Sequence, residues 1–274
     1  MKKIGFIDYY ISEWHANNYP QWIKNASQKL GLEYEVAYAW AEKDVSLVDG
    51  KTTDEWCKEM GVERCNSIAE LCEKADYILI LAPSDPDKHL RYAQEALKCG
   101  KNTYIDKTFA PDLATAEEIF ALGKKYGTVF FSSSALRFAA EHEGKKDALC
   151  VCTTGGGGNL PEYIIHQAEM IVRLMGVGAT SVTAEKLCDK ITLRVAYADG
   201  RSAQMTYAPS MPFTTTVTTK EGKTTLQVIR SDFFATLMEE ILKFYESGTP
   251  CFDAAETLEV MKIRQWAVEA FEKL

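Results

Sequence analysis

The chain has 274 residues, of which 46% are hydrophobic and 26% charged, and its formal net charge is −8. This composition is that of a globular protein with enough apolar residues for one large domain or two of ordinary size. The negative charge argues against a nucleic-acid or anionic membrane surface, because both need basic patches. No apolar run approaches the roughly 20 residues that span a bilayer.

The first residues and the cysteines predict a cytoplasmic protein. Lys2 and Lys3 lead directly into an apolar strand, and nothing there resembles a signal peptide. The eight cysteines lack the CxxC spacing of a zinc site, so we expect reduced, mostly buried thiols and no bound metal. A metal or redox role for Cys150 and Cys152, which alternate along a predicted strand, is the alternative.

The first half of the chain alternates predicted strands with predicted helices. The strands cover residues 4–7, 34–40, 77–81, 102–105 and 129–132, and the helices cover 22–30, 53–60, 67–73, 89–99 and 114–126. Apolar strands separated by helices at this pitch are typical of a doubly wound parallel sheet. We therefore predict a Rossmann-like domain over residues 1–135.

After Arg137 the pattern changes to hairpins. A polar segment at 141–147 comes first, followed by a predicted strand at 148–153, four glycines at 155–158 and a predicted helix at 161–175. Segments 181–187, 190–208 and 213–230 then alternate in the antiparallel style, with Asp199-Gly200 and Glu221-Gly222 as turns. Two helices, at about 233–247 and 254–273, end the chain. Residues 136–274 are predicted to form an α+β domain with a mostly antiparallel sheet, which makes the protein α/β.

The turn after the first strand lacks the glycines of a dinucleotide-binding fold. There, G-x-G-x-x-G lets the backbone approach a pyrophosphate, whereas here the turn is Asp8-Tyr9-Tyr10-Ile11-Ser12-Glu13. Asp8, Tyr10 and Glu13 stand at the three glycine positions. A close pair of like charges costs ~1 kcal/mol in water and more when partly buried, which is enough to cancel the attraction of a helix terminus for phosphate.

Three segments end where ligands of an open parallel sheet bind, beyond the carboxyl ends of its strands. They are the turn at 8–13, "APSDPDKH" at 82–89 and "DKTFAPD" at 106–112. Lys107, just past a buried strand, could hold a substrate oxygen or act as an acid. A solvated surface lysine is the alternative.

The stretch "GGGGNLPEYIIHQAEMIVRLMG" at 155–176 carries a second group of candidates. Glu162, His166 and Glu169 share one helical face, and a carboxylate one turn from an imidazole makes a usable acid/base pair. The alternatives are a capping glutamate, a structural histidine and a Glu169–Arg173 salt bridge; a metal here lacks a clear third ligand. The glycines are either a flexible joint or a place where a flat ligand ring approaches the backbone.

Together these segments resemble the glucose–fructose oxidoreductase / inositol dehydrogenase family, Gfo/Idh/MocA. "ADYILILAPSDPDKHLRYAQEALKCGKNTYIDKTFAPDLATAEEIFALGKKYG" is similar to the family's strand, turn, helix and Glu-Lys-Pro motif. The glycine-led helix is similar to its "GGG-L-D-x-G-x-H" segment. The tail "FFATLMEEILKFYESGTPCFDAAETLEVMKIRQWAVEAF" is similar to its closing helices. The resemblance covers most of the chain in the right order.

The resemblance implies an NAD(P)-dependent oxidoreductase that acts on a hydroxyl of a sugar, inositol or related polyol. Lys107 matches the motif lysine that contacts the substrate hydroxyl and the nicotinamide ribose. His166 matches the general acid/base, assisted by Glu162 in place of an aspartate. The residues expected to bind NAD or NADP are Asp8, Tyr9, Tyr10, Ile11, Trp40, Ala82, Pro83, Ser84, His89, Asp106 and Lys107. We expect Lys107 and His166 to converge on one cleft, and the outer face of the C-terminal sheet to join a dimer or tetramer.

Several departures from the family pattern keep two alternatives open. No glycine occupies the fingerprint positions, and Trp40-Ala41 stands where an acid should hold the ribose hydroxyls, with Glu42 slightly late. Thr108 replaces the motif proline, and the second domain is short. The alternatives are a non-catalytic homologue that lost the cofactor (a ligand-binding or partner subunit) and a redox-neutral enzyme that uses the same acid/base face.

Overall fold

The computed structural model describes residues 1–145 and 148–274 and divides the chain into two compact units. The first unit comprises 1–133 and 234–251, and the second 134–233 and 252–274. The polar segment at 141–147 ends in Lys146 and Asp147, which lie outside the described residues. The sequence assigned residues 234–251 to the second domain, whereas the structure places them in the first unit.

The first unit is built on a six-stranded parallel sheet. Its strands are β1 (Lys2–Asp8), β2 (Tyr34–Ala41), β3 (Glu63–Arg64), β4 (Tyr77–Ile80), β5 (Thr103–Asp106) and β6 (Phe130–Ser133). Their order is β3-β2-β1-β4-β5-β6, the strand order of a Rossmann fold. The prediction of a doubly wound parallel sheet is confirmed; the sequence missed only the two-residue β3 among these strands.

Six helices belong to this unit: α1 (Trp14–Leu30), α2 (Thr53–Met60), α3 (Ile68–Lys74), α4 (His89–Ala96), α5 (Leu113–Tyr126) and α7 (Phe233–Ser247), apart from the first residue of α7. Polar side chains begin several of them. Thr52 and Glu55 form a reciprocal capping box on α2, and Ser67 and Asp112 cap α3 and α5.

Helix α1 begins at Trp14, whereas the sequence predicted a helix only from residue 22. Pro20 explains the error, because proline lacks an N–H group and crowds the preceding helical turn, yet here it lies inside α1. Aromatic packing offsets this cost: the rings of Trp14 and Trp22 lie 5.1 and 5.0 Å from that of Phe234 in α7. Tertiary contacts, which the local sequence does not reveal, therefore extend the helix.

The second unit contains a six-stranded mixed sheet. Its elements are β7 (Cys150–Gly155), α6 (Leu160–Met175), β8 (Ala179–Leu187), β9 (Lys190–Tyr197), β10 (Ser202–Tyr207), β11 (Thr214–Thr218), β12 (Thr224–Val228) and α8 (Ala254–Phe271). The order is β12-β11-β7-β10-β9-β8, and all pairs are antiparallel except the parallel pair of β7 and β10. The predicted mostly antiparallel sheet is confirmed.

Helices α6 and α8 pack against one face of this sheet; the opposite face, called the open face, carries exposed side chains such as Leu226, Leu187 and Arg194. One row across the open face runs through cross-strand neighbours: Leu226, Thr216, Cys152, Gln204, Arg194 and Thr183. Three of the eight cysteines are buried, three half-buried and two exposed, so the expectation of mostly buried thiols is wrong. Within the described residues, we find no helix with the length and hydropathy of a membrane span.

Candidate functional site

The carboxylate of Glu13 caps the N-terminus of α1. It accepts hydrogen bonds from the backbone N–H groups of His15, at 2.9 Å, and Ala16, and its residue is 7% exposed. In a dinucleotide-binding fold the first N–H groups of this helix point at the pyrophosphate. The chain's own carboxylate therefore takes the donors that a phosphate would use.

Asp8 joins the ends of β1 and β4. Its Oδ1 atom accepts from the backbone N–H groups of Tyr9 at 2.7 Å and Ala82 at 3.0 Å, and Ala82 has a left-handed φ of 66°. The Oδ2 atom is buried and has no hydrogen-bond partner among the described residues. Burial, and then the nearby Glu13 charge, raise the pKa of Asp8 well above its usual value, which favours the neutral carboxyl.

Asp106, at the end of β5, pairs with His15. Its Oδ2 atom contacts Nδ1 of His15, and its Oδ1 atom accepts from the backbone N–H of Lys107 at 2.8 Å. Burial by itself would raise the pKa of this carboxyl, but the His15 imidazole and its hydrogen bond hold it below the usual value. The His15 ring also stacks on Tyr19 at 5.0 Å between centroids, so the pair is fixed inside the first unit.

The segments after β4 and β5 are fastened to each other. The half-buried Lys107 donates from Nζ to the Pro83 carbonyl at 3.4 Å. His89 is fully buried, with Nδ1 3.0 Å from the Phe109 carbonyl and Nε2 against the Leu81 carbonyl, and burial lowers its pKa. Both ring nitrogens of His89 thus face the backbone of these two segments.

An acidic residue does follow β2, one position after the strand ends. The carboxylate of Glu42 lies 3.0 Å from Arg91 and 2.8 Å from the hydroxyl of Tyr92, and Lys88 is 3.8 Å away. Tyr92 also meets the ring of Trp40 edge-on, with centroids 5.7 Å apart. The acid expected to hold the ribose hydroxyls is therefore already paired with basic groups and a tyrosine.

The other predicted cofactor residues lie along the same edge of the sheet. The ring of Tyr9 lies between two ammonium groups, with Nζ of Lys43 at 4.9 Å and of Lys88 at 4.7 Å from its centroid. Tyr10 is half-buried, Ile11 belongs to the buried core and Ser84 is exposed.

These residues do not fit a pyrophosphate bound in the usual Rossmann manner. The N-terminal donors of α1 are occupied by Glu13, and the buried carboxyls of Asp8 and Asp106 interact electrostatically with it. Side chains fill the three positions where glycines would let the backbone approach the phosphates. A dinucleotide would have to displace Glu13 or be held by other groups.

In the second unit, His166 is positioned by a buried serine. Oγ of Ser134 lies 2.6 Å from Nδ1 of the half-buried His166, and Ser134 itself is 0% exposed. A serine hydroxyl both donates and accepts, so this contact serves the neutral imidazole and the imidazolium alike. Such a contact can hold an imidazole in one orientation in either protonation state.

A buried ion pair holds Ser134 in turn. Its backbone N–H donates to Oε1 of Glu169 at 3.0 Å, and Oε2 of Glu169 lies 3.1 Å from Arg137. Arg137 also pairs with Glu256 and stacks 3.6 Å from the ring centroid of Phe252. Burial raises the pKa of Glu169 and Arg137 opposes the shift. The expected alternative of a Glu169–Arg173 salt bridge is wrong, since Glu169 binds Arg137.

Glu162 belongs to the start of α6. Its backbone N–H donates to Oδ1 of Asn159 at 2.9 Å, and its carboxylate accepts from Nδ2 of the same asparagine at 3.1 Å. Nδ1 of His166 contacts Oγ of Ser134. An assisting role for Glu162 stays a prediction.

Two of the four glycines admit aromatic rings of the chain itself. A Cβ atom on Gly155 would lie 2.4 Å from the ring of Phe213, and one on Gly157 would lie 2.0 Å from that of Tyr163. These two rings stand edge-on to His166, with centroids 5.7 and 5.8 Å away. Rings of the chain itself therefore approach Gly155 and Gly157, and the approach of a ligand ring stays a prediction.

The sequence predicted some residues around His166 and Lys107 but not others. Ser134 could have been found, because it directly follows β6 and side chains after a parallel strand lie at the ligand edge. Arg137 and Phe213 carried no such signal. Lys107 lies in the first unit and His166 in the second, and their convergence stays a prediction.

Comparison with known proteins identifies the family of part of the chain. A model of the Gfo/Idh/MocA oxidoreductase family, described as an NAD-binding Rossmann fold, matches residues 29–134. This match covers less than half of the chain. The resemblance inferred from the sequence is confirmed, and its cofactor, NAD or NADP, is of the type that the family model describes. The turn at 8–13 lies before the matched residues.

A curated relative and solved structures agree with this family. The chain is 39% identical to the oxidoreductase YhhX of Escherichia coli (strain K12) over 62 residues, which span 23% of this chain and 18% of YhhX. The structure of UDP-N-acetylglucosamine 3-dehydrogenase GnnA from Acidithiobacillus ferrooxidans is similar with a TM-score of 0.76 and 15% identity, covering 98% of this chain and 97% of that one.

Apo scyllo-inositol dehydrogenase from Lactobacillus casei is similar with a TM-score of 0.74 and 15% identity, covering 99% of this chain and 96% of that one. At these identities the structural likeness shows the fold of both units, from the parallel sheet to the hairpin sheet. The word oxidoreductase stands in the description of the family model, which matches residues 29–134.

Proposed function

We propose that the protein is an oxidoreductase of the Gfo/Idh/MocA type that acts on a hydroxyl of a sugar, inositol or related polyol, with NAD or NADP as its cofactor. The observation that carries the proposal is the contact of Ser134 with His166, which fixes an imidazole for proton exchange. The names of similar structures, a nucleotide-sugar dehydrogenase and an inositol dehydrogenase, support the substrate class.

In this proposal the chain's own residues bind the ligand and move one proton. His166 exchanges a proton at Nε2 with the ligand hydroxyl while Ser134 holds Nδ1. Lys107 donates a hydrogen bond to the ligand oxygen, and Glu162, one turn before His166, assists it. Tyr163 and Phe213 present ring edges to the imidazole and limit its rotation.

A second candidate function is favoured by the cap on α1. Because Glu13 takes the helix donors, a homologue that binds a polyol without a dinucleotide is also consistent with the first unit. Such a protein is either a non-catalytic ligand-binding or partner subunit, or a redox-neutral enzyme that uses the His166 face.

Calorimetric titration with NAD and with NADP separates the two candidates. The leading proposal expects saturable binding of one of them and turnover with at least one member of a panel of hexoses, inositols and nucleotide sugars, followed by absorbance of the reduced nicotinamide. If neither cofactor binds at millimolar concentration and no panel member is oxidised, the proposal is wrong and the second candidate takes its place.

Variants of α6 then test the role of His166. His166→Asn should lower kcat by about 10²–10⁴-fold, the usual contribution of general acid–base catalysis, while cofactor binding is retained. Glu162→Gln, on the same helix, should lower kcat less, because its carboxylate bonds to Asn159. Equal loss of cofactor binding and kcat in His166→Asn would assign that residue a structural role instead.

We also propose that two copies of the chain associate through the open face of the second sheet and that the protein is cytoplasmic. The face carries exposed Leu187, Leu226 and Val228 among threonines, and it bears both an acidic and a basic group, Glu185 and Arg194. Such a surface is self-complementary for a two-fold dimer. Light scattering should give a dimer or tetramer, and Leu226→Lys should yield monomers, whereas Leu47→Lys, at an exposed leucine of the first unit, should not.

A further inference from the structure

We infer that the Glu13 carboxylate substitutes for the cofactor pyrophosphate at the N-terminus of α1 and is the residue that sets how weakly the protein binds dinucleotides. The inference rests on the proposed function only in taking NAD or NADP as the cofactor. Glu13 is a residue that does not fit the phosphate site usual for this fold.

The geometry of the cap at the start of α1 supports this role of Glu13. Glu13 accepts from the N–H groups of both His15 and Ala16, so one carboxylate satisfies two of the four donors that a helix N-terminus leaves free. It is held there with only 7% exposure, and its own N–H donates to the Ile11 carbonyl at 2.9 Å. A second anion cannot use these two donors until the side chain leaves.

The charges near Glu13 also oppose a pyrophosphate. The carboxylate of Asp106, whose pKa is lowered, interacts electrostatically with Glu13. It would repel a pyrophosphate in a partly buried site, where charges interact several-fold more strongly than in water. No lysine or arginine bonds to Glu13 in the described residues, so the carboxylate is retained by the helix terminus itself.

Side chains in place of the missing glycines also hold the turn together. The carboxyl group of Asp8 accepts hydrogen bonds from the N–H groups of Tyr9 and Ala82, which a glycine at that position could not supply. The turn is thus complete without a phosphate. Its side chains select against a diphosphate group, whichever adenosine or nicotinamide part the ligand carries.

The test compares three forms of the full chain in calorimetric titrations with ADP, NAD and NADP. Glu13→Ser keeps a good neutral helix cap, frees one N–H and removes the charge; Glu13→Gln keeps the length and removes only the charge. Glu55→Gln, in the capping box of α2, is the matched control in the same unit. Melting temperatures without ligand report whether each variant folds.

We expect Glu13→Ser to bind ADP and NAD at least about tenfold more tightly than the wild type, with Glu13→Gln between the two and Glu55→Gln unchanged. The inference is wrong if Glu13→Ser binds ADP and NAD as the wild type does, or more weakly; if that variant does not fold, the same criterion applies to Glu13→Gln. The turnover assay of the wild type is independent of this titration. Tighter ADP binding by Glu13→Ser, with no turnover by the wild type, would support the role of Glu13 and overturn the proposed oxidoreductase activity. Unchanged ADP binding by Glu13→Ser, with turnover by the wild type, would overturn the role of Glu13 and support that activity.

Discussion

Helices α1 and α6 both start with a capping side chain near the end of a strand, yet their caps differ in charge and burial. α1 is capped by the buried carboxylate of Glu13, and α6 by the neutral amide of Asn159 behind four glycines. The first cap satisfies two backbone N–H groups of its own helix. In α6, the turn after the cap carries His166, and its Nδ1 atom contacts the neutral hydroxyl of Ser134.

The two helix ends differ in what surrounds the cap. At α1, where a Rossmann fold usually binds the pyrophosphate, the chain places its own carboxylate. At α6 it places an imidazole that is held by a serine, a buried ion pair and two aromatic rings. The four predictions that follow test whether each end depends on the contacts described.

Breaking the ion pair behind Ser134 should have the largest effect. Arg137→Met leaves Glu169 as an unpaired buried acid and should lower the free energy of unfolding by about 3–5 kcal/mol, measured by urea denaturation. Lys243→Met, which breaks a surface pair with Glu240 in α7, should cost less than about 1 kcal/mol. Similar losses in the two variants would show that the α6 end does not depend on the buried pair.

Gly157→Ala should come next. Gly157 has a φ of 146°, which side chains rarely adopt, and the added methyl would overlap the ring of Tyr163. Strain and overpacking together should cost about 3 kcal/mol and move the NMR signals of His166. Gly158→Ala is the matched control, because its Cβ would meet Tyr163 at an ordinary 3.6 Å. If Gly157→Ala were as stable as the wild type, the glycines would have no part in positioning His166.

At the α1 end, Asp8→Ala should cost about 1–3 kcal/mol, because it leaves the buried N–H groups of Tyr9 and Ala82 without their acceptor. Asp8→Asn retains a carbonyl oxygen there and should change the free energy of unfolding by less than about 1 kcal/mol. A large loss in Asp8→Asn would mean that the charge, rather than the acceptor, holds β1 to β4.

The smallest effect is the pH dependence of stability. The raised pKa values of Asp8 and Glu13 mean that the folded state keeps protons that the unfolded chain releases above its ordinary values of 3.8 and 4.5. Their contribution to stability therefore falls as the pH rises above about 4. Asp106, whose pKa is lowered, acts in the opposite sense, since its contribution is lost as the pH falls through its folded value.

Asp8→Asn should flatten this slope in urea denaturation between pH 4.5 and 7. Asp54→Asn, at an exposed aspartate of the same unit, should leave the slope as in the wild type. Equal slopes in wild type and Asp8→Asn would contradict a protonated Asp8 in the folded protein.

Most of the fold followed from local patterns, and the site followed only in part. Apolar strands, capped helices and hairpin turns repeat at distances that the sequence displays, so both sheets were predicted within a few residues. The start of α1 was not, because the packing of Trp14 and Trp22 against Phe234 offsets Pro20 across more than two hundred positions of chain. The partner of Glu169 was missed for the same reason: Arg137 lies on another element.

Helix α7 belongs to the first unit but lies far later in the chain than the rest of that unit, which affects folding during synthesis. Phe244 meets Phe131 at 5.2 Å, and Tyr245 stacks on Tyr77 at 4.5 Å and donates to the Ile78 carbonyl. Domains generally fold as units, N-terminal first, while translation adds about 5–20 residues per second. The parallel sheet cannot complete its core until residue 251 has left the ribosome, so nascent chains halted near residue 133 should expose aromatic surface and recruit chaperones.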